Sequence, residues 1–466
     1  MRRHAVFGGA RFDAFGNRLP IPPERTERLY GEDPGGRTTG DEYDLLLRHR
    51  EPSLPLQRAH PGFRGVERPG LSAGYGASDL RGDSRFEASG DLRLGPRLAP
   101  RHGGEERRVA DGKPSLKVCQ VAGSLSDWGG IERYVTFLAS ALRERGHLCD
   151  VAAPSPSPLS EREAVKPVKV ERKFDLRAFS RYLKIFKEGR YDIVHAHFSP
   201  DFLVAGYAAK MALPEAKRVM TRHVALPWSA RKAKNYSNLW QTIIPVSNAV
   251  RDVLEKSGVA PERMTVAKAG LPPLVPTRSR IDTRRAMGLT EDQFAVGIFG
   301  RLAKEKGTDV LLKATPMVQD IVVAVYGDGP EAEGLMKLSS SLRLGGKVLF
   351  QGRVADVADQ MAAVDVVVIP SRWEEAFPYA ALEAFSLGVP VIGARVGGIP
   401  ETVVPQETGL LFEKEDHLGL ASALTWLRDD EELREKLGQN ARRRYEEEFT
   451  LAAMGARIEA VYLATA

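Results

Sequence analysis

The sequence predicts two doubly wound α/β domains in tandem, each a parallel sheet covered by helices on both faces, behind an N-terminal segment without a core of its own. Three observations lead there. From Leu116 onward, short continuous apolar runs rich in β-branched residues alternate with helical patterns, as strands buried on both faces do. A Pro-rich connection, GLPPLVPTRSR at 270–280, divides these runs into two series. Charge changes sign near the same place: residues 115–280 carry 27 Lys and Arg against 15 Asp and Glu, and residues 281–466 carry 20 against 29.

Taken in order, residues 1–114 come first. They are rich in Arg, Gly and Pro, show no sustained periodicity and contain no lysine before Lys113. Such a chain buries too little apolar surface to offset its ordering entropy, so it is expected to be disordered. Its acids nearly match its bases and no aromatics are interleaved as stacking platforms, so binding of nucleic acid is not expected of it. A start assigned too early, with the real one near Val109, accounts for the composition as well as any function does.

The first domain, 115–275, is expected to hold strands near 116–122, 148–153, 192–197, 217–223 and 241–247. The second, 276–450, is expected to hold strands near 294–300, 321–327, 347–352, 364–371 and 389–394. Ligands of such domains bind at the carboxyl ends of the strands. In RKFDLRAFSRYLKIFKEGR, at 172–190, Leu176, Phe179, Leu183 and Phe186 form one helical stripe amid Arg177, Arg181, Lys184 and Lys187. The stripe either packs on the sheet or lies in a bilayer interface. Cys119 and Cys149 sit in apolar runs read as neighbouring core strands, and no Cys or Cys/His spacing suggests a metal. No secretory signal and no apolar run of spanning length is visible, so a cytoplasmic protein is expected, with peripheral contact to the inner membrane surface as an option that the basic first domain suits.

Several loops fall directly after expected strands. In AGSLSDWGGIERYV, Gly129 and Gly130 precede a helix and would let backbone N–H groups approach an anion. In GIFGRLAKEKGTDVL, Gly300 ends a strand, and Arg301, Lys304 and Lys306 precede a helix. Cations beside a helix N-terminus are electrostatically misplaced unless an anion lies between, and a diphosphate would be one. In EEAFPYAALEAF, Pro378 marks the start of a helix with Glu375 just outside it and Glu383 within it, and a Gly397-Gly398 turn follows the next strand. Glu375 could merely complement the helix dipole and Glu383 could face water. Together the pieces match a sugar nucleotide, with carboxylates for hydroxyls and N–H groups for phosphates.

Residues 115–466 resemble the retaining glycosyltransferases of family 4, which have the GT-B fold of two Rossmann-like domains facing a cleft. The stretches that carry the resemblance are GRLAKEKG, VYGDGP and PSRWEEAFPYAALEAFSLGVPVIGARVGGIPETV. By this similarity Arg301 and Lys306 would hold the donor diphosphate, Glu375 the sugar hydroxyls and Glu383 the ribose. The loop at Gly129 and Gly130 would lie over the phosphates, and His223 would reach the donor sugar. Gly300, Phe377, Gly397 and Gly398 belong to the same donor-binding stretches. Ala376 and Pro378 stand where the family often has glycine, which bears on sugar preference. His195 and His197 match a common family pattern and point to one side of a strand, which allows a metal site but better suits packing at the strand end and a lining role at the cleft.

The resemblance implies transfer of a hexose-like sugar from a UDP- or GDP-sugar to a hydroxyl of a glycan or lipid-linked acceptor, with retention. No Asp-x-Asp occurs in 115–466, and Arg301 and Lys306 would take the electrostatic role of a metal, so no cofactor is expected. The connection at 270–280 would be the hinge, and the closing helix, 451–466, would cross back onto the first domain. Three rivals are an epimerase or hydrolase of the same fold, a nicotinamide enzyme, for which no strand is followed by GxGxxG, and an RNA- or membrane-binding protein acting through its basic arm.

Overall fold

The computed structural model describes residues 115–125, 129–172, 174–354, 357–373 and 375–464. The readings of residues 1–114 lie outside the described residues. The first sheet contains β1 (Lys117–Val121), β2 (Leu148–Ala153), β3 (Val165–Pro167), β4 (Ile193–Ala196), β5 (Lys217–Arg222) and β6 (Thr242–Pro245). The second contains β7 (Phe294–Phe299), β8 (Ile321–Tyr326), β9 (Val348–Gly352), β10 (Val366–Ile369), β11 (Val391–Ala394) and β12 (Gly409–Phe412). All pairings are parallel, in the orders β3-β2-β1-β4-β5-β6 and β12-β11-β10-β7-β8-β9. The two sheets therefore share one topology. In each, strand order reverses beside the first strand, which opens a crevice next to β1 and next to β7.

Every strand expected from the sequence is present. Two more, β3 and β12, extend the sheets at one edge each. Cys119 and Cys149 lie on neighbouring strands β1 and β2, both buried and free.

The helix after β3, Leu176–Gly189, buries Ala178, Tyr182, Ile185 and Phe186, a face rotated from the stripe read in the sequence. Phe179 and Leu183 pack partly against the core, while Leu176 is 81% exposed and Phe174, just before the helix, is 78% exposed. Asp175 caps the helix by accepting from the Ala178 N–H, so the chain turns into the helix with those two apolar side chains left outside.

Two passages join the domains, and they touch. The Leu271 N–H donates to the Phe449 carbonyl at 3.0 Å, and the Tyr445 hydroxyl donates to the Leu271 carbonyl at 2.9 Å. Tyr445–Phe449 forms a π-helical turn, and the last helix, Leu451–Ala464, runs on from it to the first domain. There Met454, Ile458, Val461 and Tyr462 join the core built on the first sheet. The buried Glu459 carboxylate is held by Arg145 at 2.6 Å and by His147 at 3.0 Å, so its charge is compensated. Among the described residues no helix is long and apolar enough to cross a membrane.

Candidate active site

A cleft of about 840 Å³ opens where the two crevices meet. Gly129, Gly130 and Arg133 line it from the first domain, and Gly300, Arg301 and Lys306 line it after β7. Ser371, Glu375, Phe377, Tyr379 and Glu383 line it after β10. Each group follows a central strand, because only there do loops from neighbouring strands diverge.

The loop after β7 is set by close backbone approach. Gly307 has φ +67°, and a Cβ there would lie 2.0 Å from the Pro370 carbonyl oxygen, so glycine alone lets the turn meet the end of β10. The Arg372 N–H donates to the Glu305 carbonyl at 2.8 Å, and the Arg372 guanidinium grips Asp309 in bidentate fashion at 2.5 and 2.7 Å. The two loops are thereby pinned together, and the contact that follows is between Lys306 Nζ and Glu375 Oε1. The Ser371 hydroxyl donates to the same carboxylate oxygen at 2.9 Å. Lys304 instead lines a separate hollow with Trp373.

Glu375 is also fixed through its backbone. The Gly398 N–H donates to the Glu375 carbonyl at 2.6 Å, and a Cβ on Gly398 would come within 2.3 Å of the Ala376 carbonyl oxygen. Gly397 and Gly398 are not among the residues lining the cleft. They support the Glu375 segment from behind. The helix Tyr379–Ser386 starts at Pro378 as its N-cap, with Glu375 outside it, and Glu383 is buried rather than facing water.

Sequence reasoning missed Arg133. It stands in the first turn of the helix Gly130–Glu144, lies 4.9 Å over the Tyr379 ring and reaches across the cleft to Glu383 at 2.5 Å. The signal was present: Arg133 is a cation near a helix N-terminus, the same misplacement that drew attention to Arg301. The Tyr379 hydroxyl is buried with no hydrogen-bond partner among the described residues, a group that a ligand could satisfy. A second bridge between the domains comes from Glu401, whose carboxylate accepts from the Asn248 N–H, the Asn248 side chain and the Ala249 N–H at 2.8, 2.8 and 2.7 Å. It compensates the positive end of the helix Asn248–Lys256.

His223 is half-buried at the end of β5, 4.5 Å from the Tyr134 ring centroid, and is not among the residues lining the cleft. Behind it lie His197, at 3.4 Å from ring nitrogen to ring nitrogen, and His195, both fully enclosed. Burial drives all three imidazoles toward the neutral form. His195 and His197 lie well below the usual range, and His223 is pushed down to about 3, with the Arg222 charge adding to the effect. His195 and His197 bond to Tyr462, Thr221 and Gln120, and among the described residues no three His, Cys, Asp or Glu side chains cluster as metal ligands.

Comparison with known proteins agrees with this architecture. The model for Glycosyltransferase Family 4 matches residues 128–273, and that for Glycosyl transferases group 1 matches residues 279–444. The N-acetyl-alpha-D-glucosaminyl L-malate synthase of Bacillus anthracis is 28% identical over 301 residues, covering 62% of this chain and 79% of that one. The lipopolysaccharide core biosynthesis glycosyltransferase LpsD of Rhizobium meliloti is 27% identical over 321 residues, covering 66% and 88%. The crystal structure of Anabaena Alr3699/HepE in complex with UDP superposes with a TM-score of 0.68 at 21% identity, over 75% of this chain and all of that one. The chain belongs to the family 4 glycosyltransferases and has their GT-B fold of two Rossmann-like domains.

Proposed function

We propose that the protein transfers a hexosyl unit from a nucleoside diphosphate sugar to a hydroxyl of a glycan or glycolipid acceptor, with retention and without a metal ion. The observation that carries this reading is the convergence of Arg301, Lys306, Glu375 and Glu383 on one cleft, facing Gly129 and Gly130 of the other domain. Arg301 and Lys306 would hold the diphosphate, Glu383 the ribose, and Glu375 the sugar hydroxyls, with Phe377 against the sugar and His223 reaching it from the first domain. UDP or GDP is the expected nucleotide, and the HepE complexes with UDP and UDP-glucose support the former.

The main barrier is charge separation as the diphosphate leaves. Fixed cations and N–H groups aimed at that position stabilise the developing charge without reorganising, and one such donor is worth roughly 2.7–4 kcal/mol. This is the role a metal would otherwise fill. The acceptor would attack from the face the diphosphate leaves, with a phosphate oxygen taking its proton. Closing the cleft would exclude water from the donor.

Assembly of cell-surface glycans, lipopolysaccharide among them, fits the relation to LpsD and the basic first domain. Exposed Phe174 and Leu176 beside Arg177 and Arg181 suit peripheral contact with an anionic membrane face. The test is incubation with UDP-glucose or GDP-mannose, with and without an envelope glycolipid fraction, in the presence of chelator. Acceptor-dependent release of nucleoside diphosphate supports transfer, and acceptor-independent turnover favours a hydrolase or epimerase instead.

A further inference from the structure

Behind the first-domain wall of the cleft runs a chain of polar groups that the reaction does not use directly. It starts on the last helix and ends at His223. Tyr462 Oη lies 2.7 Å from His195 Nδ1 and 3.3 Å from Gln120 Nε2. His195 Nε2 lies 2.7 Å from Thr221 Oγ1, Gln120 Oε1 lies 2.5 Å from His197 Nε2, and His197 Nδ1 lies 3.4 Å from His223 Nε2. All but His223 are buried, so each polar atom left unpaired would carry a desolvation penalty.

With Gln120 Oε1 turned to His197 and Nε2 to Tyr462, the direction of every bond follows from this one amide, and turning it over would reverse them all. An amide oxygen only accepts, so His197 Nε2 must carry the proton that Gln120 Oε1 receives. A neutral imidazole has a single N–H, which leaves His197 Nδ1 as a lone pair. The proton in the next bond therefore belongs to His223 Nε2, and His223 Nδ1 is left bare. In the other direction, the Gln120 amide N–H donates to Tyr462 Oη, the Tyr462 proton goes to His195 Nδ1, and the His195 Nε2–H donates to Thr221. Protonating His195 or His197 would set an added N–H against a group that already donates in the chain, and burial opposes the charge on all three rings, with Arg222 adding to it at His223.

We propose that Tyr462, Gln120 and His197 are positioning residues that hold His223 as the neutral tautomer with its proton on Nε2 and Nδ1 bare. If His223 reaches the donor sugar, its bare Nδ1 is an acceptor there, which suits a sugar hydroxyl as donor. The control reaches from the last helix through the first sheet, so that helix sets the chemistry of the donor side as well as packing. The inference rests on the reading of His223 as a residue facing the donor sugar.

The test is nitrogen NMR of the full chain labelled at its nine histidines, without any nucleotide, with His223→Gln assigning the signal. The expected result is an Nε2-protonated, Nδ1-bare His223 that stays so from pH 5 to 8 and becomes a mixture of tautomers in Tyr462→Phe. Gln120→Met, which removes both amide bonds at similar volume, should give the same mixture and guards against a folding defect in the first variant. An Nδ1-protonated His223, or a tautomer indifferent to both substitutions, overturns the proposal. Because no donor is present, that failure would leave the donor-site reading standing, and failure of nucleotide binding would leave this result intact.

Discussion

Arg133 and Glu383 form an ion pair across the cleft at 2.5 Å, one residue from each domain. The carboxylate expected to take a ribose is thus already held by a guanidinium stacked on Tyr379. A nucleoside must displace that guanidinium before it can bind. Arg133→Ala should therefore tighten binding of uridine or guanosine about three- to tenfold, the equivalent of roughly 1 kcal/mol. Calorimetry decides it: weaker nucleoside binding in the variant would mean that Arg133 supports the ligand rather than competes with it.

Lys306 and Glu375 touch each other and are held by Ser371 and by the pinned loops. Neither side chain is part of a core, so Lys306→Ala and Glu375→Ala should melt close to the parent. Turnover should fall about 100- to 1,000-fold for Lys306→Ala, the range for loss of one preorganised charge-stabilising donor. Near-normal turnover in either variant would remove the site assignment.

Gly398 acts on Glu375 through the backbone, and a Cβ there would collide with the Ala376 carbonyl oxygen. Gly398→Ala should shift Glu375 while leaving Glu383 and Arg301 in place. Steady-state kinetics should then show a drop in kcat of tenfold or more, with affinity for the free nucleotide within about twofold. Equal losses in both would argue that the turn touches the nucleotide itself.

The three histidines of this cluster make stability depend on pH. Unfolded, each takes up a proton near 6.5, whereas folded they stay neutral to much lower pH, His223 to about 3. Their contribution is fully present above that range and is lost as pH falls, by up to about 1.4 kcal/mol per pH unit for each histidine. Asp201 works the other way. Burial, partly offset by bonds from Ser124 and Tyr182, raises its carboxyl from 3.8 to about 6, so the folded chain keeps a proton that the unfolded chain has released. Between about pH 4 and 6 the four groups together give a slope of roughly 2.8 kcal/mol per unit, with stability rising with pH. Urea unfolding at pH 4.5, 5 and 5.5 should show this slope reduced by about half in His195→Gln, whatever that variant's stability at pH 7. An unchanged slope would contradict the enclosure of that ring.

Ten of the twelve described strands were legible as short apolar runs set between helical patterns, the edge strands Thr242–Pro245 and Val348–Gly352 among them. The two that were not lie at sheet edges. Val165–Pro167 is three residues long, one of them the Pro167 that an edge tolerates, and Gly409–Phe412 opens on a glycine and follows a turn. Periodicity placed the helix at Leu176–Gly189 but misjudged its face, because Asp175 caps the chain at an angle that leaves Leu176 outside. In the site, Arg301 and Lys306 stood out as cations beside a helix start, and Glu375 and Glu383 as two carboxylates flanking the start of an apolar helix in a stretch that resembles the family's. Glu401, Gln120 and Tyr462 did not, because their role depends on which residues the tertiary fold brings opposite them.

The most direct measurement is the melting temperature of the full chain with UDP, GDP, ADP or NAD in excess, with and without chelator. Ligand at about 100 times its dissociation constant adds about 2.7 kcal/mol. The account predicts a rise with UDP or GDP that chelator leaves unchanged and that Lys306→Ala and Glu383→Ala abolish. A rise with NAD alone, or no rise with any of the four, would contradict it.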